Sequence, residues 1–212
     1  MSSPRDTRSV KIPSDERGAW SSDRPRRDGG PARPPDISVR GRVLSPTDRL
    51  RYSPGSLLVL VSPSVAERDR FAERFVENKG ALLSLDKVRA LLAGRVPDED
   101  VEARAEELLD AAVLKRLSAS ETVVLAAEGL GAAGRERFVR MAARLSRPRH
   151  LILLETPRDQ IAEEDRAPLN ELRRSLDAGE LGSEGFQTSM RLGGSATTEV
   201  KSLVFWPPPR DD

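Results

Sequence analysis

The feature that restricts the fold most is a run of five apolar residues, Leu57–Val61, in a chain of 212 residues. An unbroken apolar run of this length is typical of a central strand in a parallel sheet, because both faces of such a strand are covered. Polar residues at 62–64 end the run. An amphipathic helix is then predicted over residues 67–78, because Phe71 and Phe75 fall on one helical face. The sequence therefore predicts a strand–loop–helix unit at the centre of the fold.

The same alternation of apolar strands and amphipathic helices continues along the chain. Further strands are predicted over residues 81–85, 122–127 and 150–154, with a late strand at 203–206. Helices are predicted over residues 86–93, 97–117, 133–145 and 168–178. Strands that alternate with helices favour a parallel sheet covered on both sides. The predicted fold class is therefore α/β, a three-layer α/β/α arrangement with a mainly parallel sheet.

Composition divides the chain into a tail and one domain. Residues 1–45 are rich in Ser, Pro, Arg, Asp and Gly, and they bury too little apolar surface to offset the entropy of ordering. We predict a disordered tail, with Trp20 as a candidate anchor for a partner. Its arginines could contact phosphates or be solvated; they are Arg24, Arg26, Arg27 and Arg33. Residues 46–212 are predicted to form the domain, which ends in a helical part and the late strand.

Composition also excludes several kinds of function. The chain has 35 basic and 34 acidic residues, so any binding to nucleic acid would have to come from a local patch. The absence of cysteine excludes disulfides, thiolate catalysis and cysteine-ligated zinc. No metal site is predicted, because the single histidine, His150, is interpreted as a strand-edge residue. No apolar run approaches about 18 residues and the N-terminus is polar, so we expect a cytoplasmic protein without membrane contact.

The loop after the first strand stands where many α/β proteins bind phosphate. A phosphate-binding loop needs the pattern G-x-x-x-x-G-K-[ST], whose glycines allow backbone N–H groups to converge on the phosphate. Residues 62–69 fill this frame with Ser62 and Glu67 at the two glycine positions. Arg68 stands at the lysine position, and Asp69 stands at the position of the magnesium-binding hydroxyl.

These replacements disfavour ATP held in the usual way. Val65 is β-branched, and a left-handed conformation would cost it roughly 1–2 kcal/mol. Glu67 and Asp69 would lie close to a polyphosphate, and each like-charge contact at about 4 Å costs on the order of 4 kcal/mol at an effective dielectric near 20. Arg68 could offset only one of these contacts. The alternative is a plain strand–helix turn, in which the two acids stabilise the helix N-terminus.

A second motif follows the predicted strand at 81–85, where Asp86 and Arg89 form the pattern D-x-x-R. With this motif, the order of segments over residues 54–194 resembles the polynucleotide kinase-like branch of the P-loop kinases, within the P-loop NTPases with AAA-type ATP binding. The resemblance implies that Asp86 is a general base for the acceptor hydroxyl and that Arg89 contacts the acceptor phosphate. The alternative is that Asp86 caps the helix and Arg89 is solvated.

Two other family segments depart from the pattern. Where the family commonly has D-A-T-N after the third strand, residues 125–128 read Leu-Ala-Ala-Glu. In the region of the family's lid helix, Arg158 and Arg166 are the candidate clamps for donor phosphates. The acids at 163–165 add negative charge beside them. Three of the four functional segments therefore lose phosphate-binding chemistry.

Two charged surfaces could serve partners or be plain solvated helix faces. An acidic run extends over residues 97–110 and could receive a partner. A basic cluster lies on or after one helix, with four arginines on one face if the helix continues far enough. It consists of Arg135, Arg137, Arg140, Arg144, Arg147 and Arg149. The basic face is a candidate contact for a phosphate backbone.

The residues predict two alternative functions. The first is a degenerate kinase-fold protein that is catalytically impaired, needs no cofactor and binds a protein or nucleic-acid partner. The second is an ATP- and magnesium-dependent kinase that phosphorylates a hydroxyl end of a nucleic acid or a nucleoside. The second would use Arg68, Asp86, Arg89 and a lid arginine. An acidic phosphate cradle is poorly suited to phosphoryl transfer, which depends on positioning and electrostatic stabilisation, so the first is favoured.

Overall fold

A computed structural model describes residues 34–206, which fall almost entirely within one compact unit beginning at Asp36. Its strands are β1 (Arg42–Leu44), β2 (Arg49–Tyr52), β3 (Leu57–Val61), β4 (Leu82–Ser84), β5 (Val123–Ala126), β6 (Arg149–Leu154), β7 (Thr188–Leu192) and β8 (Ser202–Phe205). Its helices are α1 (Val65–Phe75), α2 (Leu85–Leu92), α3 (Asp98–Ser118), α4 (Ala133–Arg144), α5 (Glu163–Asp177) and α6 (Ser195–Glu199). Trp20 and the tail arginines lie outside the described residues.

Six strands form one sheet in the order β1-β7-β6-β3-β5-β4, and every pair in it is parallel. β3 lies between β6 and β5, and all five of its residues are buried. The prediction of a central strand at Leu57–Val61 is therefore confirmed. None of the helices within residues 34–206 is long and apolar enough to cross a membrane.

Two apolar clusters cover the two faces of the sheet. Leu57, Val59 and Val61 belong to the cluster under α3, α4 and α5. Leu58 and Leu60 point the other way and belong to the cluster under α1 and a small parallel sheet of β2 and β8. The predicted three-layer α/β/α fold class is confirmed, with the small sheet completing one of the outer layers.

The sequence did not predict the strands β1, β2 and β7. β1 pairs with β7, so the folded unit begins before residue 46, and the predicted boundary lies too far along the chain. β7 has the mixed sequence Thr-Ser-Met-Arg-Leu, which gives neither an apolar run nor a strict alternation of polar and apolar residues. It is nevertheless mostly buried and lies inside the sheet, between β6 and β1.

Serine caps set the starts of two helices differently from the prediction. α1 begins at Val65 and not at residue 67, because Ser64 caps it and its Oγ accepts a hydrogen bond from the Glu67 N–H at 3.3 Å. α2 is capped by Ser84, whose Oγ accepts from the Lys87 N–H at 3.2 Å. The alternative that Asp86 caps this helix is therefore wrong.

Candidate functional site at the carboxyl edge of the sheet

The predicted site residues other than the two lid arginines lie at the edge where the parallel strands end. Open parallel sheets commonly bind ligands in the crevice outside these carboxyl ends. Ser62 follows β3, Ala127 follows β5, and the first turn of α2 follows β4. Thr156 lies two residues after β6.

The loop between β3 and α1 is only three residues long. Because α1 begins at Val65, five of the eight residues in the phosphate-loop frame are helical. Three backbone donors of this segment are bonded within it: the Arg68 N–H donates to the Ser64 carbonyl at 3.0 Å, the Glu67 N–H donates to Ser64 Oγ, and the Ser64 N–H donates to Ser62 Oγ at 3.1 Å. No residue from 62 to 69 has a positive φ, so this backbone does not form an anion-binding nest.

A carboxylate of the chain itself lies at the N-terminus of α1. Glu67 Oε2 accepts a hydrogen bond of 2.7 Å from the hydroxyl of Thr156, which is buried. The hydroxyls of Thr156 and Ser62 lie 3.4 Å apart. Because a helix N-terminus favours negative charge, this carboxylate serves there as a built-in anion.

Arg68, which stands at the lysine position, is buried and fully engaged. Only 1% of its side chain is exposed. Its Nε donates to Asp69 Oδ1 at 2.9 Å, and its Nη1 donates to the Ala127 carbonyl at 2.6 Å. Its Nη2 lies 2.8 Å from Asp69 and 3.5 Å from Asp86. The positive charge that a phosphate would need is therefore already matched by two carboxylates.

Arg89 lies among three carboxylates and is not a solvated side chain. Its Nε and Nη2 donate to the two oxygens of Glu102 at 2.8 and 2.7 Å. Its Nη1 donates to Asp86 at 3.0 Å, and it also pairs with Glu128. Hydrogen bonds to Glu102 and then Glu128 raise the pKa of Arg89 above its usual value, and the bond from Arg89 lowers the pKa of Glu102.

Together these groups form one ion-pair network, called the α1–α2 network below. Its members are Arg68, Asp69, Asp86, Arg89, Glu102 and Glu128. Two cations and four anions give it a formal charge of −2. Asp86, the candidate general base, accepts from Arg89 through one oxygen and lies 3.5 Å from Arg68 through the other. The structure thus brings the two sequence motifs together.

The two candidate lid arginines lie outside this network. Arg158 is exposed in a short 3-10 turn at Arg158–Gln160. Arg166 lies on the first turns of α5 and pairs with Glu163 of the same helix. Neither side chain contacts the α1–α2 network through any ion pair within residues 34–206.

A second ion-pair cluster at the same edge was missed by sequence reasoning. Glu155 follows β6, and its carboxylate accepts from Arg173 Nε at 3.0 Å and from Arg191 Nε at 2.9 Å. Arg191 also pairs with Asp177 at 2.7 Å. These residues come from β6, α5 and β7, so only the fold brings them together.

The residues at this edge do not fit a magnesium–ATP complex. A polyphosphate at the N-terminus of α1 would meet Glu67 and Asp69, while the nearest cation, Arg68, is already paired. Within residues 34–206, no group of three or more Asp, Glu or His side chains is arranged to hold a metal ion. The cation that stands at the lysine position is therefore already bonded to carboxylates of the chain itself.

Most arginines of the basic cluster around α4 are bonded to other groups of the chain. Arg135 is buried and donates to both oxygens of Glu184 at 2.9 Å. Because α4 ends at Arg144, Arg147 is not on the helical face and instead donates to the Leu117 carbonyl at 2.9 Å. Arg137 pairs with the acidic run through Glu106 and Asp110. The predicted shared face of four arginines is therefore wrong.

Part of the chain matches a protein-family model. Residues 65–175, which are 111 of the 212, match a family model described as an AAA domain. The match begins at the first residue of α1, so β3 and the loop after it lie outside the matched residues. No curated protein matches the chain.

Proposed function

The chain belongs to the AAA-domain family, a P-loop NTPase-like group, and we propose that it is a kinase-type member that is impaired in phosphoryl transfer and acts by binding a partner. The partner is a protein or a nucleic acid. The observation that carries this proposal is the burial of Arg68 between Asp69 and Asp86. The residue at the phosphate-binding position serves the stability of the fold.

The energetics of the loop support this proposal. Arg68 would have to leave its hydrogen bonds with Ala127 and Asp69 before it could contact a phosphate. Removing one partner from a buried hydrogen bond typically costs about 1–3 kcal/mol. A loop opened into the usual phosphate-binding form would also lose the bonds that the Glu67 and Arg68 N–H groups donate to Ser64. ATP binding would therefore oppose several contacts of the folded chain.

One observation favours the alternative of an active kinase. Asp86 and Arg89 lie beside Arg68 at the carboxyl edge of the sheet, which is the arrangement that the D-x-x-R motif would need. In this alternative, a nucleotide would displace Asp86 from Arg68 and release its carboxylate as a base. The alternative therefore requires a rearrangement of the α1–α2 network.

A phosphoryl-transfer assay tests the proposal. Purified full-length chain is incubated with magnesium and γ-labelled ATP together with a 5′-hydroxyl oligonucleotide or a nucleoside. We expect no more label transfer than in the matched variant Asp86→Asn, which removes the candidate base with little change in shape. Transfer by the wild-type chain that disappears in Asp86→Asn would overturn the proposal.

A further inference from the structure

The small sheet of β2 and β8 has an exposed outer face with two arginines. Along β2, Leu50 and Tyr52 are buried against the main sheet, whereas Arg49 and Arg51 are exposed. Successive strand residues point to opposite faces, so both guanidinium groups project from the outer face. Arg49 and Arg51 are two residues apart on the strand, which places their backbones about 7 Å apart.

An exposed tryptophan follows on the neighbouring strand. The parallel register pairs Arg49 with Ser202 and Arg51 with Val204, so these four residues share one face. Trp206 is the next residue in the same alternation, and 70% of it is exposed. We call Arg49, Arg51, Ser202, Val204 and Trp206 the β2–β8 outer face.

The arginines of this face are available to a partner. Within residues 34–206, neither Arg49 nor Arg51 has a side-chain hydrogen bond or an ion pair, unlike the arginines of the α1–α2 network. Asp48, which directly precedes β2, forms an ion pair of 3.4 Å with Lys201, which directly precedes β8. Two unpaired guanidinium groups therefore give β2 a positive outer face although the whole chain is close to neutral.

A cavity of about 620 Å³ opens beside Trp206. Its apolar wall includes Phe205 and Trp206, and a volume of this size falls in the range of ligand sites. Glu77, Glu121 and Arg116 also line it, and Arg116 pairs with Glu121 at 3.1 Å, so the lining disfavours a phosphate inside. A planar, uncharged group next to the indole suits this lining, with negative charges kept outside along β2.

We propose that the β2–β8 outer face binds single-stranded nucleic acid. Arg49 and Arg51 contact successive phosphates, and Trp206 stacks on a base at the mouth of the cavity. Proteins that bind single strands without sequence preference combine a cationic track with such aromatic platforms. This inference rests on the proposed function and names its partner class, and the surface lies outside the residues that match the family.

Fluorescence anisotropy with a dye-labelled oligothymidylate, measured with the full chain over a series of salt concentrations, tests this inference. Removing both phosphate contacts in Arg49→Ala/Arg51→Ala should reduce the magnitude of the slope of log K against log salt by about 1.4, because each single-strand contact contributes about 0.7. Trp206→Ala should weaken binding by about 5- to 150-fold and leave the slope unchanged. These side chains are exposed, and unchanged thermal melting will show that the variants fold.

The matched control is Arg95→Ala/Arg144→Ala, which removes two exposed arginines outside this surface. The inference requires that the control keep the wild-type slope. An equal loss of slope in the control, or binding that ignores all three positions of the outer face, would overturn it. Tighter binding of an acidic peptide than of the oligonucleotide, lost in the same variants, would also overturn it and assign the surface to a protein. None of these results would show phosphoryl transfer, so failure here is distinct from failure of the proposed function.

Discussion

At the scale of single residues, the guanidinium of Arg68 connects α1 to the ends of two strands. It donates to the carbonyl of Ala127 after β5 and lies against Asp86 after β4. Ala127 is buried, and its carbonyl accepts a hydrogen bond from the Arg68 side chain. Arg68 therefore acts as a structural tie among three elements.

Replacement of Arg68 by methionine tests this structural role. Arg68→Met keeps the side chain long and apolar but leaves the Ala127 carbonyl without this donor. We expect the free energy of unfolding to fall by about 1–3 kcal/mol. The control Arg70→Met changes an exposed arginine on the same helix and should alter stability by less than about 0.5 kcal/mol. Urea denaturation measures both, and equal effects would contradict the structural role.

His150, the single histidine, is the second residue of β6 and is buried there. Its Nδ1 lies 2.8 Å from the Thr188 hydroxyl, and its ring centroid lies 4.7 Å from that of Tyr52. Its Nε2 has no hydrogen-bond partner within residues 34–206. Burial, with a smaller contribution from nearby Arg149, lowers the pKa of His150 to about 4.

This shift predicts a loss of stability in mild acid. The unfolded chain takes up the proton near a pKa of about 6.5, whereas the folded chain stays neutral down to about pH 4. Stability is therefore complete above about pH 6.5 and decreases as the pH falls towards 4. When the pH is lowered from 7 to 5, we expect the titration of His150 to reduce the free energy of unfolding by about 2 kcal/mol. His150→Gln, which does not titrate, should lack this decrease in urea denaturation, and an unchanged pH dependence would refute the assignment.

At the scale of elements, the start of α1 depends on a short capping motif. Ser64 and Glu67 have the spacing of a capping box, Ser-x-x-Glu, and this signal could have placed the helix start from the sequence. The carboxylate does not bond back to Ser64, however, because Thr156 donates to it. The Ser64 N–H, to which the glutamate of a capping box would bond, donates instead to Ser62 Oγ.

Loss of the cap tests this description of α1. Ser64→Ala removes the oxygen that accepts from the Glu67 N–H, so the free energy of unfolding should fall by about 0.5–2 kcal/mol. Ser64→Asp supplies another good cap and should stay close to the wild-type value. Thermal or urea unfolding of the three proteins provides the measurement. If alanine and aspartate at this position proved equally stable, the cap would have no role in the stability of α1.

The strands differ in how well sequence reasoning could find them. β3, β5 and β6 are apolar runs, and burial on both faces leaves a clear pattern in their residues. β7 and β1 take part in the same sheet, but β7 mixes polar and apolar residues and β1 is only three residues long, so neither gives such a pattern. Their positions are fixed by pairing with distant segments, as when Thr188 pairs with His150.

At the scale of the whole molecule, the same limit applies to the site. Arg68, Asp86 and Arg89 could be chosen from motif positions, and the fold brings them together. Glu102 could not be chosen, because its role comes from the packing of α3 against α2 and not from its place in an acidic run. The cluster of Glu155 with Arg173 and Arg191 is likewise a product of chain topology.

The affinity of the carboxyl edge for ATP is the most direct measure of its phosphate-binding capacity. Titration of the folded, full-length chain with magnesium–ATP in a calorimeter measures this affinity. We predict a dissociation constant weaker than about 100 μM, because Arg68 is held by Asp69 and Asp86. A dissociation constant tighter than about 100 μM that is lost in Arg68→Ala but kept in Arg70→Ala would contradict the account.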